Sequence, residues 1–117
     1  MTDLNSLRLK DFLGHMLQAI ERIEAYVESH PESHFLSTPM LQDAVIRNIE
    51  ILGEAASNIK KRFPEFTTSH AEVPWEAIYY MRNRIIHGYV SIDFALVWSV
   101  IHKDLPLLKS QLLALKD

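Results

Sequence analysis

The chain has 117 residues, of which 48% are hydrophobic and 23% charged, and its formal net charge is -3. A chain of this length can bury about two thirds of its unfolded surface, so we expect one globular domain over residues 1–117. The acidic balance excludes a polyanion binder held by bulk charge, so any contact with nucleic acid must come from a local basic patch.

Neither a membrane segment nor a disulfide framework is expected. No apolar run approaches the ~20 residues of a membrane span, and the opening "MTDLNSLRLKDF" lacks the basic region and apolar core of a signal peptide. The absence of cysteine excludes disulfides and thiolate metal ligands. We therefore expect a cytoplasmic protein without membrane contact.

The first half of the chain predicts two long amphipathic helices. Apolar residues at spacings of three and four indicate a helix from Leu4 to Ser29. The segment "SHPESHFLSTP" (29–39) is predicted to be a loop. Thr38 followed by Pro39 is typical of a helix start, with a hydroxyl cap and a proline in the first turn, and the second helix should run to Phe63.

The second half predicts a short helix and a long one after a second loop, "PEFTTSHAEVP" (64–74). Pro74 opens the third helix, which Gly88 should end near His87 as a left-handed C-cap. The fourth helix starts near Ser91 to Asp93, and Pro106 kinks or divides it because proline removes a backbone hydrogen bond. Four helices without strand alternation predict an all-α antiparallel four-helix bundle.

The third helix carries the most unusual composition in the chain, in the stretch "YYMRNRIIHGYV" (79–90). It brings together Arg82, Asn83, Arg84, His87 and Tyr89. No acid occurs in this stretch, so its positive charge suits an anionic ligand such as phosphate. No carboxylate–histidine cluster with ligand spacing occurs, so neither a metal nor a cofactor is expected.

Helical spacing decides which of these side chains can meet. Asn83 and His87 are four residues apart and share a face, whereas ~140° separates Arg82 from His87 on a regular helix. Either the helix deforms at its end or a second chain completes the pair. A two-fold axis near the end of this helix would bring Arg82 of one subunit to His87 of the other. We therefore predict a homodimer with a composite site.

Two interpretations of this cluster stay open on residue spacing alone. In the structural one, His87 meets the helix dipole at a helix end, the arginines are surface residues and Tyr89 packs with a wet hydroxyl. In the chemical one, the cluster cleaves RNA without metal. His87 then moves the proton of the attacking 2'-hydroxyl, and Arg82 stabilises charge on the phosphoryl oxygens. Tyr89 would orient the phosphate or base, and Asn83 the histidine ring.

The stretch "RNRIIHGY" (82–89) matches the R-x-x-x-x-H-x-Y motif of the HEPN superfamily in its HepT-like branch. "AVIRNIEILGEAASNI" (44–59), "VPWEAIYYMRNRIIHGY" (73–89) and "DFALVW" (93–98) resemble the same branch, so the resemblance covers most of the chain. It implies a small, all-helical, dimeric ribonuclease toxin that cuts RNA without metal and leaves a cyclic phosphate, with Arg82 and His87 as its catalytic residues.

The resemblance also implies a partner and a modification. Such toxins pair with a minimal nucleotidyltransferase antitoxin, in a type II or type VII-like toxin–antitoxin arrangement. The antitoxin transfers a nucleotide, typically AMP, onto the motif tyrosine, here Tyr89. A bulky anionic group on that residue would fill the phosphate site and neutralise Arg82.

Glu54 in the second helix is a candidate supporting residue with two interpretations. It is either a surface acid paired with Arg47, Lys60 or Lys61, or an acid that orients Arg82 or His87 from the neighbouring helix, which the resemblance favours. The run "KKRF" (60–63) is either a solvated helix end whose cations suit the dipole or an extension of an RNA path.

Two alternatives to a nuclease remain at this stage. The chain can instead be a non-catalytic helical partner that presents substrate to a nucleotidyltransferase, with Arg82 and Arg84 holding a nucleotide. A plain dimeric scaffold is the third possibility, and it predicts that neither RNA nor nucleotide binds.

Overall fold

Helices account for nearly all of the described chain. The computed structural model describes residues 4–86 and 91–115. The helices are α1 Leu4–Val27, α2 Glu32–Leu36, α3 Pro39–Arg62, α4 Pro64–Ser69, α5 Trp75–Ile86, α6 Phe94–Ser99 and α7 Leu105–Leu115, with a π-helical segment at Val100–Asp104 between the last two. No strand occurs within these ranges, which confirms the all-α class. The predicted Gly88 cap lies outside the described residues.

Four arms of the fold correspond to the four predicted helices. The first three are α1, α3 and α5, and the fourth consists of α6, the π segment and α7, which follow one another in the chain. Helix α3 is central and packs against both α1 and α5, while α7 packs against α1 and α6 against α2. The side chains that fill this core are fully buried aliphatic residues from several arms, such as Met16, Ile20, Ile23, Ile49, Leu52, Ile59 and Leu112. None of the helices in 4–86 or 91–115 is long and apolar enough to cross a bilayer.

The prediction that 29–39 is a loop is wrong, because α2 lies within it. Phe35 of α2 is 0% exposed. Its ring meets the rings of Phe94 at 5.9 Å and Trp98 at 5.5 Å between centroids. A helix of five residues is too short to show a period in the sequence, and it is stabilised here by tertiary packing of one aromatic side chain.

The second predicted loop, 64–74, also contains a helix, α4. Pro64 occupies its first turn, where a missing N–H costs nothing. The hydroxyls of Thr67 and Thr68 both donate to the Pro64 carbonyl at 2.9 Å. The Trp75 indole N–H then donates to the His70 carbonyl at 3.1 Å, which ties the end of this segment to the start of α5.

Helix α3 starts at Pro39 as predicted, but the expected hydroxyl cap is wrong. Thr38 occupies the N-cap position and makes no capping bond. Its hydroxyl instead donates back to the His34 carbonyl at 2.6 Å, so it closes α2 rather than opening α3. Asn48 in this helix is 4% exposed, and its amide donates to the Ala44 carbonyl at 2.9 Å.

The last arm begins and divides close to the predicted positions. The Asp93 carboxylate accepts from the Leu96 N–H at 3.1 Å and caps α6. The interruption is the π segment Val100–Asp104, which begins six residues before Pro106 and contains His102, four residues before it. A proline ring clashes with the carbonyl four residues earlier, and a local π turn is one of the few ways a helix continues through such a clash.

Candidate active site

Arg82 lies in the α5 segment that packs on α3, and its side chain crosses directly over Gly53. A β-carbon built at position 53 would lie 2.5 Å from the Arg82 Cγ and 3.2 Å from its Cδ. Real β-carbons do not approach other carbons so closely, so a side chain at position 53 would displace the arginine. The glycine therefore lets the stem of Arg82 lie flat against the α3 backbone.

The guanidinium of Arg82 is held from two sides. Its Nη2 donates to the Glu54 Oε1 at 3.3 Å, and its Nη1 donates to the Asn83 Oδ1 at 2.8 Å. The Arg82 side chain is 18% exposed and that of Glu54 is 63% exposed. The cation is thus largely shielded while its partner acid lies at the surface. An arginine fixed by two acceptors presents its remaining donors in a defined direction.

The contact of Glu54 with Arg82 is the pairing that the second interpretation of Glu54 requires, and its role in the site stays a prediction. Its carboxylate contacts Arg82, whereas Lys60 pairs with Glu76 of α5 at 3.1 Å. Asn83 contacts the Arg82 guanidinium. His87 and Tyr89 lie outside the described residues, and so does the predicted contact of Asn83 with the histidine ring.

The second arginine of the stretch does not converge with the first. Arg84 is exposed and lines a cavity of about 390 Å³ with Glu76, Tyr80 and Met81. Arg82 lines a different cavity, against α3. The two arginines therefore line separate cavities of the same chain.

The cavity beside Arg82 is small and polar. It has a volume of about 220 Å³, and every lining residue carries a polar group: Glu54, Ser57, Asn58, Lys61, Tyr79 and Arg82. The spacing of residues 54, 58 and 61 along α3 places them on one side of that helix. The sequence predicts site roles for Arg82 and Glu54, and it predicts the run 60–63, which contains Lys61, as a possible extension of an RNA path. Ser57, Asn58 and Tyr79 carry no sequence signal of their own.

Potential metal ligands do not gather in the described part of the chain. No group of three or more histidine, cysteine or acidic side chains there could hold an ion. His30 and His34 stack with ring centroids 4.2 Å apart, which is a packing contact between exposed and half-buried rings.

A helical bundle that holds a shielded arginine beside a polar surface cavity is suited to binding an anion. The ribonuclease HepT-like family matches residues 16–115. A protein of Thermococcus cleftensis named "Probable ribonuclease HepT" is 37% identical over 102 residues, which is 87% of this chain and 90% of that relative. The chain therefore belongs to the HepT-like ribonuclease family, as the motif at 82–89 predicts.

A second relative shows the domain in a larger setting. A Methanocaldococcus jannaschii protein named "Gamma-glutamylcyclotransferase and putative RNase" is 39% identical over 109 residues, or 93% of this chain. The chain spans about half of that relative, 48% of its length. No solved structure matches the chain significantly. Family membership confirms the predicted enzyme class, ribonuclease.

Proposed function

We propose that this protein is the toxin of a toxin–antitoxin pair and that it cleaves RNA endonucleolytically without a metal ion. The observation that carries the proposal is the fixed Arg82 guanidinium, held by Glu54 and Asn83 beside a polar cavity. Arg82 is also the first residue of the family motif. RNA supplies its own nucleophile, so the protein needs to position a phosphate and move protons.

The reaction is a transesterification. The 2'-oxygen of one ribose bonds to the adjacent phosphorus, and the bond from that phosphorus to the 5'-oxygen of the next nucleotide breaks. The products are a 2',3'-cyclic phosphate and a 5'-hydroxyl. His87 takes the proton of the 2'-hydroxyl or gives one to the leaving oxygen, since imidazole titrates near neutrality.

Arg82 stabilises the negative charge that grows on the phosphoryl oxygens in the transition state. A donor held in place before the reaction starts needs no reorganisation, which is why preorganised cations contribute strongly to such steps. Glu54 and Asn83 supply that preorganisation. Tyr89 orients the phosphate or the base.

We further propose that two copies of the chain form the complete site. On a regular helix, position 87 would lie on the face of positions 80 and 84, seven and three residues earlier, and not on that of position 82. Tyr80 is 73% exposed, and Arg84 is exposed beside it. Tyrosine and arginine are enriched in protein interfaces. A two-fold axis near the end of this helix would bring His87 of one subunit to Arg82 of the other.

The proposed partner is a minimal nucleotidyltransferase antitoxin that silences the toxin in the cytoplasm by transferring AMP to Tyr89. A phosphate attached to that hydroxyl would occupy the position of the substrate phosphate and take up the charge of Arg82. Intact-mass measurement after co-expression with a minimal nucleotidyltransferase antitoxin tests this step. We expect the added mass of one or more nucleotides on the wild type and none on Tyr89→Phe. Equal labelling of both proteins would contradict the assignment.

The cleavage step has its own test. An RNA with a single 2'-deoxy sugar at the cleaved position lacks the nucleophile and should resist cleavage at that position only. The products of the unmodified RNA should carry cyclic phosphates. Cleavage at the deoxy position would show that water, not the 2'-hydroxyl, attacks the phosphorus, and would overturn the mechanism.

A further inference from the structure

We propose that the polar cavity beside Arg82 is an RNA subsite that takes the ribose-phosphate of a nucleotide next to the cleaved bond. In this assignment Lys61 binds its phosphate, and Ser57 and Asn58 bind its 2'-hydroxyl. The inference rests on the proposed ribonuclease function and extends it from the reacting phosphate to a second point of contact with the RNA.

The first support is that the donors of this cavity are uncommitted. Within 4–86 and 91–115, no hydrogen bond or ion pair engages the side chains of Ser57, Asn58, Lys61 or Tyr79. The two other lining residues, Glu54 and Arg82, bind each other. A concave surface whose polar groups have no partner among the described residues is suited to a polar ligand.

The second support is the distribution of charge along 60–62. The ammonium of Lys60 pairs with Glu76 at 3.1 Å, and the guanidinium of Arg62 lies 5.6 Å from the centre of the Phe12 ring. Lys61 lies between them in sequence and is exposed in the polar cavity. Since Arg82 shares its charge with Glu54, Lys61 is the cation that the cavity offers to a second phosphate.

The third support is the size and chemistry of the cavity. Its volume of about 220 Å³ is below the ~300 to 1,000 Å³ of pockets that enclose a whole small ligand. It therefore suits one unit of a chain that continues outside it. A 2'-hydroxyl both donates and accepts hydrogen bonds. The hydroxyl of Ser57 and the amide of Asn58 each carry a donor and an acceptor that can pair with it. The adjoining Arg82 makes the subsite continuous with the proposed reaction centre.

The test measures RNA binding with every protein carrying His87→Ala, so that the RNA stays intact. The probes are a fluorescein-labelled, mixed-sequence, single-stranded RNA and the DNA of the same sequence, each titrated at several salt concentrations. Lys61→Ala should flatten the dependence of log K on log salt by ~0.7, the value for one lost phosphate contact on a single strand. The matched control Lys103→Ala, an exposed cation in the π segment, should leave the slope unchanged.

The neutral side chains have a separate signature. The double variant Ser57→Ala/Asn58→Ala should keep the salt slope and lower the preference for RNA over DNA by about tenfold, the loss expected for a 2'-hydroxyl contact of about 1.4 kcal/mol. Circular dichroism checks that each variant is folded. Slopes and RNA preference equal to those of Lys103→Ala would overturn the subsite.

Failure of the subsite and failure of the proposed function give different results. If the protein with an intact His87 cleaves the RNA but the cavity variants bind like their parent, only the subsite is wrong. If the parent binds neither probe and the protein with an intact His87 cleaves nothing, both are wrong.

Discussion

Gly53 lies directly beneath the side chain of Arg82. A β-carbon at position 53 would clash with the aliphatic stem of the arginine. A glycine inside a helix costs about 1 kcal/mol relative to alanine. At position 53 this cost accompanies the close approach of α3 and α5 that lets the Arg82 side chain lie against α3. The helix thereby gives up local stability at the point where the proposed site needs a fixed cation.

Gly53→Ala should therefore impair cleavage without removing any polar group. The added methyl group displaces Arg82, and a 1 Å misplacement in an active site can cost about 10²-fold in rate. We expect at least a several-fold fall in the cleavage rate and no gain in the free energy of unfolding. Steady-state cleavage of a labelled RNA and urea unfolding measure the two quantities.

The matched control is Gly14→Ala in α1, where an added β-carbon meets nothing within 4 Å. This variant should raise the free energy of unfolding by about 1 kcal/mol from helix propensity and leave cleavage unchanged. Wild-type cleavage by Gly53→Ala would show that the position of Arg82 is not critical.

Substitution of Glu54 should lower the cleavage rate and leave the free energy of unfolding nearly unchanged. Its carboxylate is 63% exposed, so Glu54→Ala should change the free energy of unfolding by less than ~0.5 kcal/mol. Cleavage should fall several-fold, because the guanidinium loses one of its two acceptors. Glu54→Gln keeps an acceptor oxygen and should retain most of the rate. As a control, Asp43→Ala removes an exposed acid from the same helix; an equal effect of both alanine variants would point to net charge instead of orientation.

Subunit mixing tests the composite site. Arg82→Ala and His87→Ala should each be inactive alone. If the site combines residues from two subunits, a mixed dimer carries one intact site. Random exchange of equal amounts should then restore about a quarter of the wild-type rate, since half of the dimers are mixed and each has one of two sites. A mixture that stays inactive after verified subunit exchange would place both residues of each site in one chain.

Phe35 should be a major contributor to stability although it lies in a segment that looks like a loop. It is 0% exposed between the rings of Phe94 and Trp98. Phe35→Ala should lower the free energy of unfolding by about 3 to 5 kcal/mol. The neighbouring Leu36 is 45% exposed, and Leu36→Ala should change it by less than ~0.5 kcal/mol. Equal urea midpoints for the two variants would contradict the packing described for α2.

The long helices were predictable because a period of three to four residues repeats many times within them. Pro39 and Asp93 mark helix starts for local chemical reasons, so these boundaries were predicted closely. Helices α2 and α4 were missed because five or six residues show no period. Helix α2 is stabilised by the ring contacts of Phe35 with Phe94 and Trp98, and the Trp75 indole bonds to the residue that follows α4; a search for helical periodicity detects neither contact.

The candidate site was predictable in part for the same kind of reason. Arg82 stands out in the sequence because cations are crowded around it without an acid. Arg82 packs on Gly53 and pairs with Glu54, and both contacts join α5 to α3. The two helices are far apart in sequence, so helical spacing cannot predict these contacts. The cavity residues Ser57 and Asn58 become neighbours of Arg82 only after the two helices pack.

The most direct measurement of the central claim is cleavage of total cellular RNA in the presence of EDTA by purified wild type, beside Arg82→Ala and His87→Ala. An intact-mass measurement first establishes that Tyr89 in each sample carries no nucleotide. Cleavage by the wild type and loss of cleavage in both folded variants is the predicted result. Cleavage that EDTA abolishes, or that survives His87→Ala unchanged, would contradict the metal-free mechanism and the roles assigned to these residues.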